Sequence, residues 1–207
     1  MNKTVLITGA SSGLGKDFAT LFAEKGYDLV LTARRKKNLE EISNNLINQF
    51  GIKASIISCD LSDLKSTEEI YNFCEENKIQ INVLVNNAGY GLTDSFEKIS
   101  LSDHIDFINV LSTSAIALTR LFLPGMIKRK FGRIINVSSV AAFAPFTNSG
   151  GMYIATKLML LKFSEMIHNE YKNNNIFSCS VCPGFTHTEF HNEMKEFKSS
   201  IPSFMWM

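Results

Sequence analysis

The chain has 207 residues, 45% of them hydrophobic and 20% charged, with a formal net charge of +1. Length and apolar content support one domain, 1–207, with a sizeable core. The near-neutral balance gives no electrostatic reason to expect nucleic acid or an acidic membrane as a partner, and apolar runs as short as "VLI" and "NVLV" predict no membrane-spanning helix.

The first strand pattern, "KTVLITG" (3–9), begins almost at the first residue, so no secretory leader is expected. Further strand patterns lie at 28–33, 53–59, 82–86, 132–138 and 176–182. Helical periodicity fills 14–25, 36–50, 63–77, 96–130 (read as two helices) and 153–172. Strand and helix alternate throughout, which predicts parallel strands joined by right-handed crossovers. Nearly continuous apolar strands predict burial on both faces. The expected fold is therefore α/β, a Rossmann-type doubly wound sheet of six strands, with ligands beyond the strands' carboxyl ends.

After the first strand comes "TGASSGLG", which offers Thr8, Gly9, Ser11, Ser12, Gly13, Leu14 and Gly15 as a phosphate cradle at a helix start. A packing turn needs one or two glycines; three, with two serines, point to a dinucleotide. After the second strand, "TARRKK" brings Arg34 and Arg35 to the place of the adenosine ribose, with no acid from Thr32 to Asn38. Basic residues are unfavourable at a helix start unless an anion joins them. That favours the 2′-phosphate of NADP over the free hydroxyl of NAD; the alternative is a solvated basic helix start. Asp60 and Leu61 after the third strand, and Asn87, Ala88 and Gly89 after the fourth, suit adenine and its ribose, or serve equally as a helix cap and a turn.

After the fifth strand come Ser138 and Ser139, then Tyr153 and Lys157, four apart on one helix face. A free phenol titrates at about 10, too high for a base at neutral pH; a fixed ammonium one turn away favours the phenolate. Such a pair can give a proton to a carbonyl oxygen or take one from an alcohol. The turn "PGFTHT" (183–188) closes the sixth strand, and His187 reads as a loop residue because no metal ligands accompany it. No metal site is expected. Cys179 and Cys182, inside an apolar strand pattern, are expected to be buried reduced thiols of a cytoplasmic protein, with Cys59 and Cys74.

Taken together and in this order, "TGxxxGxG", "NNAG" and "YxxxK" resemble the short-chain dehydrogenase/reductase family across essentially all of 1–190. The resemblance implies a catalytic set of Asn109, Ser139, Tyr153 and Lys157, with Ser138 open as the alternative serine. It implies hydride transfer between NADP(H) and a small carbonyl or alcohol substrate, with Tyr153 as proton donor, Ser139 orienting the oxygen, Lys157 lowering the phenol's pKa and binding ribose, and Asn109 holding a relay water. Read alone, Asn109 is a helix residue bonding its own backbone. The resemblance also carries the nicotinamide onto Pro183, Gly184, Thr186 and Thr188, and implies a homodimer or homotetramer.

The chain stops at "SFMWM", before the family's seventh strand, so a C-terminally truncated and weakly active member is expected. A non-catalytic NADP-binding sensor or partner subunit is the competing reading; it would need the glycine turn but not Tyr153. Phe143, Phe146, Phe190, Phe197 and Phe204 near the expected site favour an apolar or acyl substrate, or equally pack a core or a dimer contact.

Overall fold

In strand Thr4–Thr8 (β1), Val5 and Ile7 point to one side of the sheet and Leu6 to the other, and all three are fully buried. Such a strand needs helices on both of its faces. The computed structural model describes residues 3–92, 94–143 and 152–186 and supplies them. On the Val5/Ile7 face lie helices Gly13–Glu24 (α1) and Lys36–Phe50 (α2), which follow β1 and strand Asp28–Ala33 (β2). The Leu6 face carries helix Lys65–Glu76 (α3), reached through strand Ala54–Ser58 (β3). It also carries Ser114–Arg129 (α5) and Tyr153–Tyr171 (α6), which flank strands Ile81–Asn86 (β4), Gly132–Val137 (β5) and Ile176–Val181 (β6). A shorter helix, Leu101–Ile108 (α4), leads into α5.

The six strands are parallel and run in the order β3-β2-β1-β4-β5-β6, the expected doubly wound sheet. The strand order reverses between β1 and β4, which opens a crevice at their carboxyl ends. The chain turns that define the site all converge there.

Two expectations are corrected. The segment read as two separate helices is one helical run, Leu101–Arg129, in which α4 and α5 join through a π-helical turn at Asn109–Thr113. Ser114 N–H donates to the Asn109 carbonyl across that wider turn, and the Ser114 hydroxyl donates to the Val110 carbonyl at 3.0 Å. By length and composition this run could cross a membrane, which counting unbroken apolar stretches does not reveal. Half of its most apolar stretch is buried, and α5 packs on α3, β4 and β5.

The second correction concerns the thiols. Cys179 and Cys182 are not the buried pair expected: Cys179 lies on β6, the last strand of the sheet order, and Cys182 lies just past that strand's end. Cys179 is exposed and Cys182 half-buried; all four cysteines are free.

Candidate active site

The glycine turn is built by close approach. Gly9 and Gly13 have φ of +66° and +51°, where a side chain is strained. A Cβ on Gly15 would stand 2.2 Å from the Gly9 carbonyl oxygen, so α1 begins flush against the end of β1. Asn87 holds this arrangement from the next strand over, donating from Nδ2 to the Thr8 carbonyl at 2.9 Å and the Gly9 carbonyl at 3.3 Å. Thr8 Oγ1 returns the contact by accepting from the amides of Asn87 and Ala88 at 2.9 and 3.0 Å. Helix α1 has no side-chain cap and no acid in its first turn, so its free amides and positive dipole end suit a phosphate.

The two arginines part company. Arg35 folds over the turn, and its guanidinium donates to Ser12 Oγ at 2.7 Å and Ser11 Oγ at 3.2 Å. Arg34 turns to Asp60 at 3.9 Å, a solvent-exposed pair worth about 0–1 kcal/mol. Helix α2 starts with no acid in its first turn, and Lys36 pairs instead with Glu40 one turn on, at 3.8 Å and exposed to solvent. These residues fit a pyrophosphate on the glycine turn and a further phosphate between Arg35 and Ser11. Leu61 is buried and packs in the core below Asp60, whose carboxylate accepts from the Ser62 amide at 3.0 Å.

At the ends of β5 and α6 the two serines separate. Ser138 is buried and donates to the Lys157 carbonyl at 2.7 Å, while the Ser139 hydroxyl hydrogen-bonds with the Tyr153 side chain. Lys157 is only 4% exposed; its Nζ donates to the Val137 carbonyl at 2.8 Å and lies 5.6 Å from the Tyr153 ring centroid. Burial pulls the Lys157 ammonium down to about 8, opposed by the nearby Cys182.

The expected lowering of the Tyr153 pKa does not emerge. Burial raises it above the ordinary phenol value, and the Ser139 bond is what opposes the rise. Lys157 Nζ lies 5.6 Å from the ring centroid and gives one of its donors to the Val137 carbonyl; the loss of water around the phenol sets the direction of the shift.

Asn109 sits at the head of the π-turn and donates from Nδ2 to the Ser62 carbonyl at 3.0 Å, tying the catalytic side to the loop after β3. Among the described residues its side chain bonds neither its own helix's backbone nor Lys157. Gly89 approaches Lys157: a Cβ there would lie 3.7 Å from Nζ. The Pro183 carbonyl accepts from the Val140 amide at 3.0 Å, locking the turn after β6 beside Ser139, and Thr186 Oγ1 donates to the Gly184 carbonyl. Thr188, His187, Phe146, Phe190, Phe197 and Phe204 lie outside the described residues. Phe143 is described and is 67% exposed. Sequence reading missed the Val137 carbonyl and the nearness of Cys182, because a backbone acceptor and a contact across two strand ends leave no motif. Among the described residues no three His, Cys, Asp or Glu side chains group as metal ligands.

A family model for short chain dehydrogenase matches residues 3–199. The very-long-chain 3-oxoacyl-CoA reductase of Rattus norvegicus is 34% identical over 195 residues, covering 91% of this chain and 61% of that protein. An NADP-dependent 3-hydroxy acid dehydrogenase of Schizosaccharomyces pombe is 35% identical over 190 residues, 91% of this chain and 73% of that protein. Among solved structures, a short-chain dehydrogenase from Sphingobium yanoikuyae in complex with NADPH superposes with a TM-score of 0.91 at 30% identity, covering 99% of this chain and 79% of that one. The chain thus spans about three fifths of the length of the rat relative.

Two variants separate the serines. Ser138→Ala, which deletes a buried bond to α6, should cost about 1–3 kcal/mol in urea unfolding. Ser139→Ala should leave stability within about 0.5 kcal/mol yet raise the Tyr153 pKa further, read as a later tyrosinate absorbance step on titration.

Lys157→Met tests the cost of the buried ammonium. The folded pKa of Lys157 is depressed, so the unfolded chain binds its proton more tightly. The penalty is therefore full below about 8 and fades as pH rises to the ordinary lysine value. Removing it should raise stability at neutral pH by on the order of 1–3 kcal/mol, and the gain should shrink in alkaline buffer; a loss at neutral pH would refute this.

Proposed function

This chain belongs to the short-chain dehydrogenase family, and on that premise we propose that it is an NADP-dependent oxidoreductase of the carbonyl reductase or alcohol dehydrogenase type. Its support is the meeting of Ser139, Tyr153 and the buried Lys157 beside the glycine turn, at the carboxyl ends of β1, β4 and β5. The nicotinamide cofactor, when bound, supplies or accepts the hydride. Thr8, Gly9, Gly13 and Gly15 would hold its pyrophosphate, and Arg35 with Ser11 its 2′-phosphate.

Tyr153 carries the transferable proton on its phenol oxygen. Its raised pKa keeps that proton in place at neutral pH, as a donor to a carbonyl oxygen requires. Ser139, bonded to the same phenol, aligns the oxygen that receives it. Lys157 fixes the first turns of α6 through Val137 and offers its remaining N–H donors to the cofactor ribose. Asn109 braces the π-turn against the loop at Ser62 and stands on the relay side of the site.

For the substrate, we propose a carbonyl on an apolar or acyl-type molecule. Val140 and Phe143, directly after Ser139, are 47% and 67% exposed. The rat and yeast relatives bear the names of a 3-oxoacyl-CoA reductase and a 3-hydroxy acid dehydrogenase. We further propose a cytoplasmic homo-oligomer; the four free thiols are in keeping with a reducing compartment.

NADPH consumption against 3-oxoacyl thioesters and simple ketones tests the activity. Tyr153→Phe should lose at least ~100-fold in kcat with NADPH binding nearly intact; a variant near wild-type rate would remove Tyr153 from the chemistry. Arg35→Ala should weaken NADPH by about tenfold or more while leaving NADH nearly unchanged, with Arg34→Ala smaller. Equal loss for both cofactors would overturn the 2′-phosphate assignment.

A further inference from the structure

Below the site, a row of polar side chains crosses the apolar layer under α6. Asn86, Asn136 and Ser180 are lateral partners in register on β4, β5 and β6, so they stand at one level on one face. Asn86 Nδ2 donates to Asn136 Oδ1 at 2.8 Å, and Asn136 Nδ2 donates to Ser164 Oγ at 2.7 Å. Ser164, on α6, lies 2.8 Å from Ser180 Oγ and 2.8 Å from the carbonyl of Leu160, to which it donates. Asn86, Asn136 and Ser164 are all at least nine-tenths buried, among Leu84, Ile134 and Ile176.

Polar groups in such a layer seldom outdo well-packed apolar ones in stability; directed bonds fix geometry instead, and here those bonds converge on Asn136 and Ser164, while Asn86 Oδ1 has no partner among the described residues. Apolar contacts tolerate sliding, whereas a directed bond from Asn136 admits one height of Ser164. Ser164 follows Lys157 by seven residues, two turns on the same face of one helix. Among the described residues α6 is also tethered by Ser138 Oγ to the Lys157 carbonyl, by Lys157 Nζ to the Val137 carbonyl, and by a longer bond, 3.4 Å, from Ser112 Oγ to the Thr156 carbonyl. The first two engage Lys157 itself and the third is long, so the row is the short-bonded anchor of α6 that leaves Lys157 out.

We propose that Ser164, held by Asn136 and Ser180, is a positioning residue that sets the height of α6 over the strand ends and thereby the places of Lys157 and Tyr153. The kinetic part of this inference rests on the hydride-transfer reading; the geometric part does not.

The test compares Ser164→Ala, Ser164→Thr and, as a control, Ser178→Ala. Ser178 is a buried serine of the same strand as Ser180 whose hydroxyl has no partner among the described residues. One readout is independent of activity: acylation of Lys157 by an amine-reactive reagent, quantified by mass spectrometry against exposed Lys162. Ser164→Ala should speed Lys157 labelling about threefold or more as α6 loosens, Ser164→Thr should restore protection, and Ser178→Ala should change nothing. In NADPH turnover, Ser164→Ala should lose about tenfold in kcat with NADPH Kd within about threefold, and Ser164→Thr should recover the rate.

Unchanged Lys157 labelling in Ser164→Ala, an equal effect of Ser178→Ala, or no rescue by threonine would overturn the proposal. Should Ser164→Ala not fold, Ser164→Cys, similar in size but a weak hydrogen-bonding group, carries the same labelling comparison. A wild-type chain that turns over no carbonyl while the labelling contrast persists would refute the proposed activity and leave the positioning role standing.

Discussion

The site depends on a reciprocal clasp between the end of β5 and the second turn of α6. Lys157 Nζ donates to the Val137 carbonyl, and Ser138, the first residue past that strand, donates to the Lys157 carbonyl. A buried ammonium is costly unless its donors are met, so Lys157 can be 4% exposed only because the strand end meets it there. The clasp consumes Ser138. It thereby leaves Ser139, one residue on and facing out of the core, as the serine bonded to the Tyr153 phenol.

A second reciprocal contact serves the cofactor side. Thr8 and Asn87 exchange bonds across β1 and β4, the two strands at which the sheet's order reverses. Asn87 also fills the space over Gly9 and Gly15; a Cβ on Gly15 would lie 2.6 Å from its Nδ2. The glycines are therefore demanded from two directions, by the turn's own φ values and by a side chain from the neighbouring strand. Both requirements act before any ligand arrives.

Proton chemistry at this site is governed by burial more than by charge pairing. Desolvation raises the phenol and lowers the ammonium, moving the two toward their neutral forms together. A tyrosine that keeps its proton suits donation to a carbonyl oxygen. A lysine drawn to about 8 sits close to the working range, so its charge answers to whatever anion or ribose hydroxyl comes near.

By itself the sequence determined the alternation of strand and helix, the parallel sheet, the glycine turn, and Tyr153 and Lys157 on one helical face. All of these are local: periodicity, composition and spacing along one segment carry them. Tertiary structure decided what depended on segments far apart in the chain. It assigned Ser138 to the helix and Ser139 to the phenol, which adjacent identical residues cannot reveal. It sent Arg35 to Ser11 and Ser12 but Arg34 to Asp60. It joined the two helices expected within 96–130 into one run through a π-turn, where the Ser114 amide reaches back to the Asn109 carbonyl. It also reversed the expected shift of Tyr153, because spacing along a helix reports that an ammonium is near but not how much water burial has removed from the phenol.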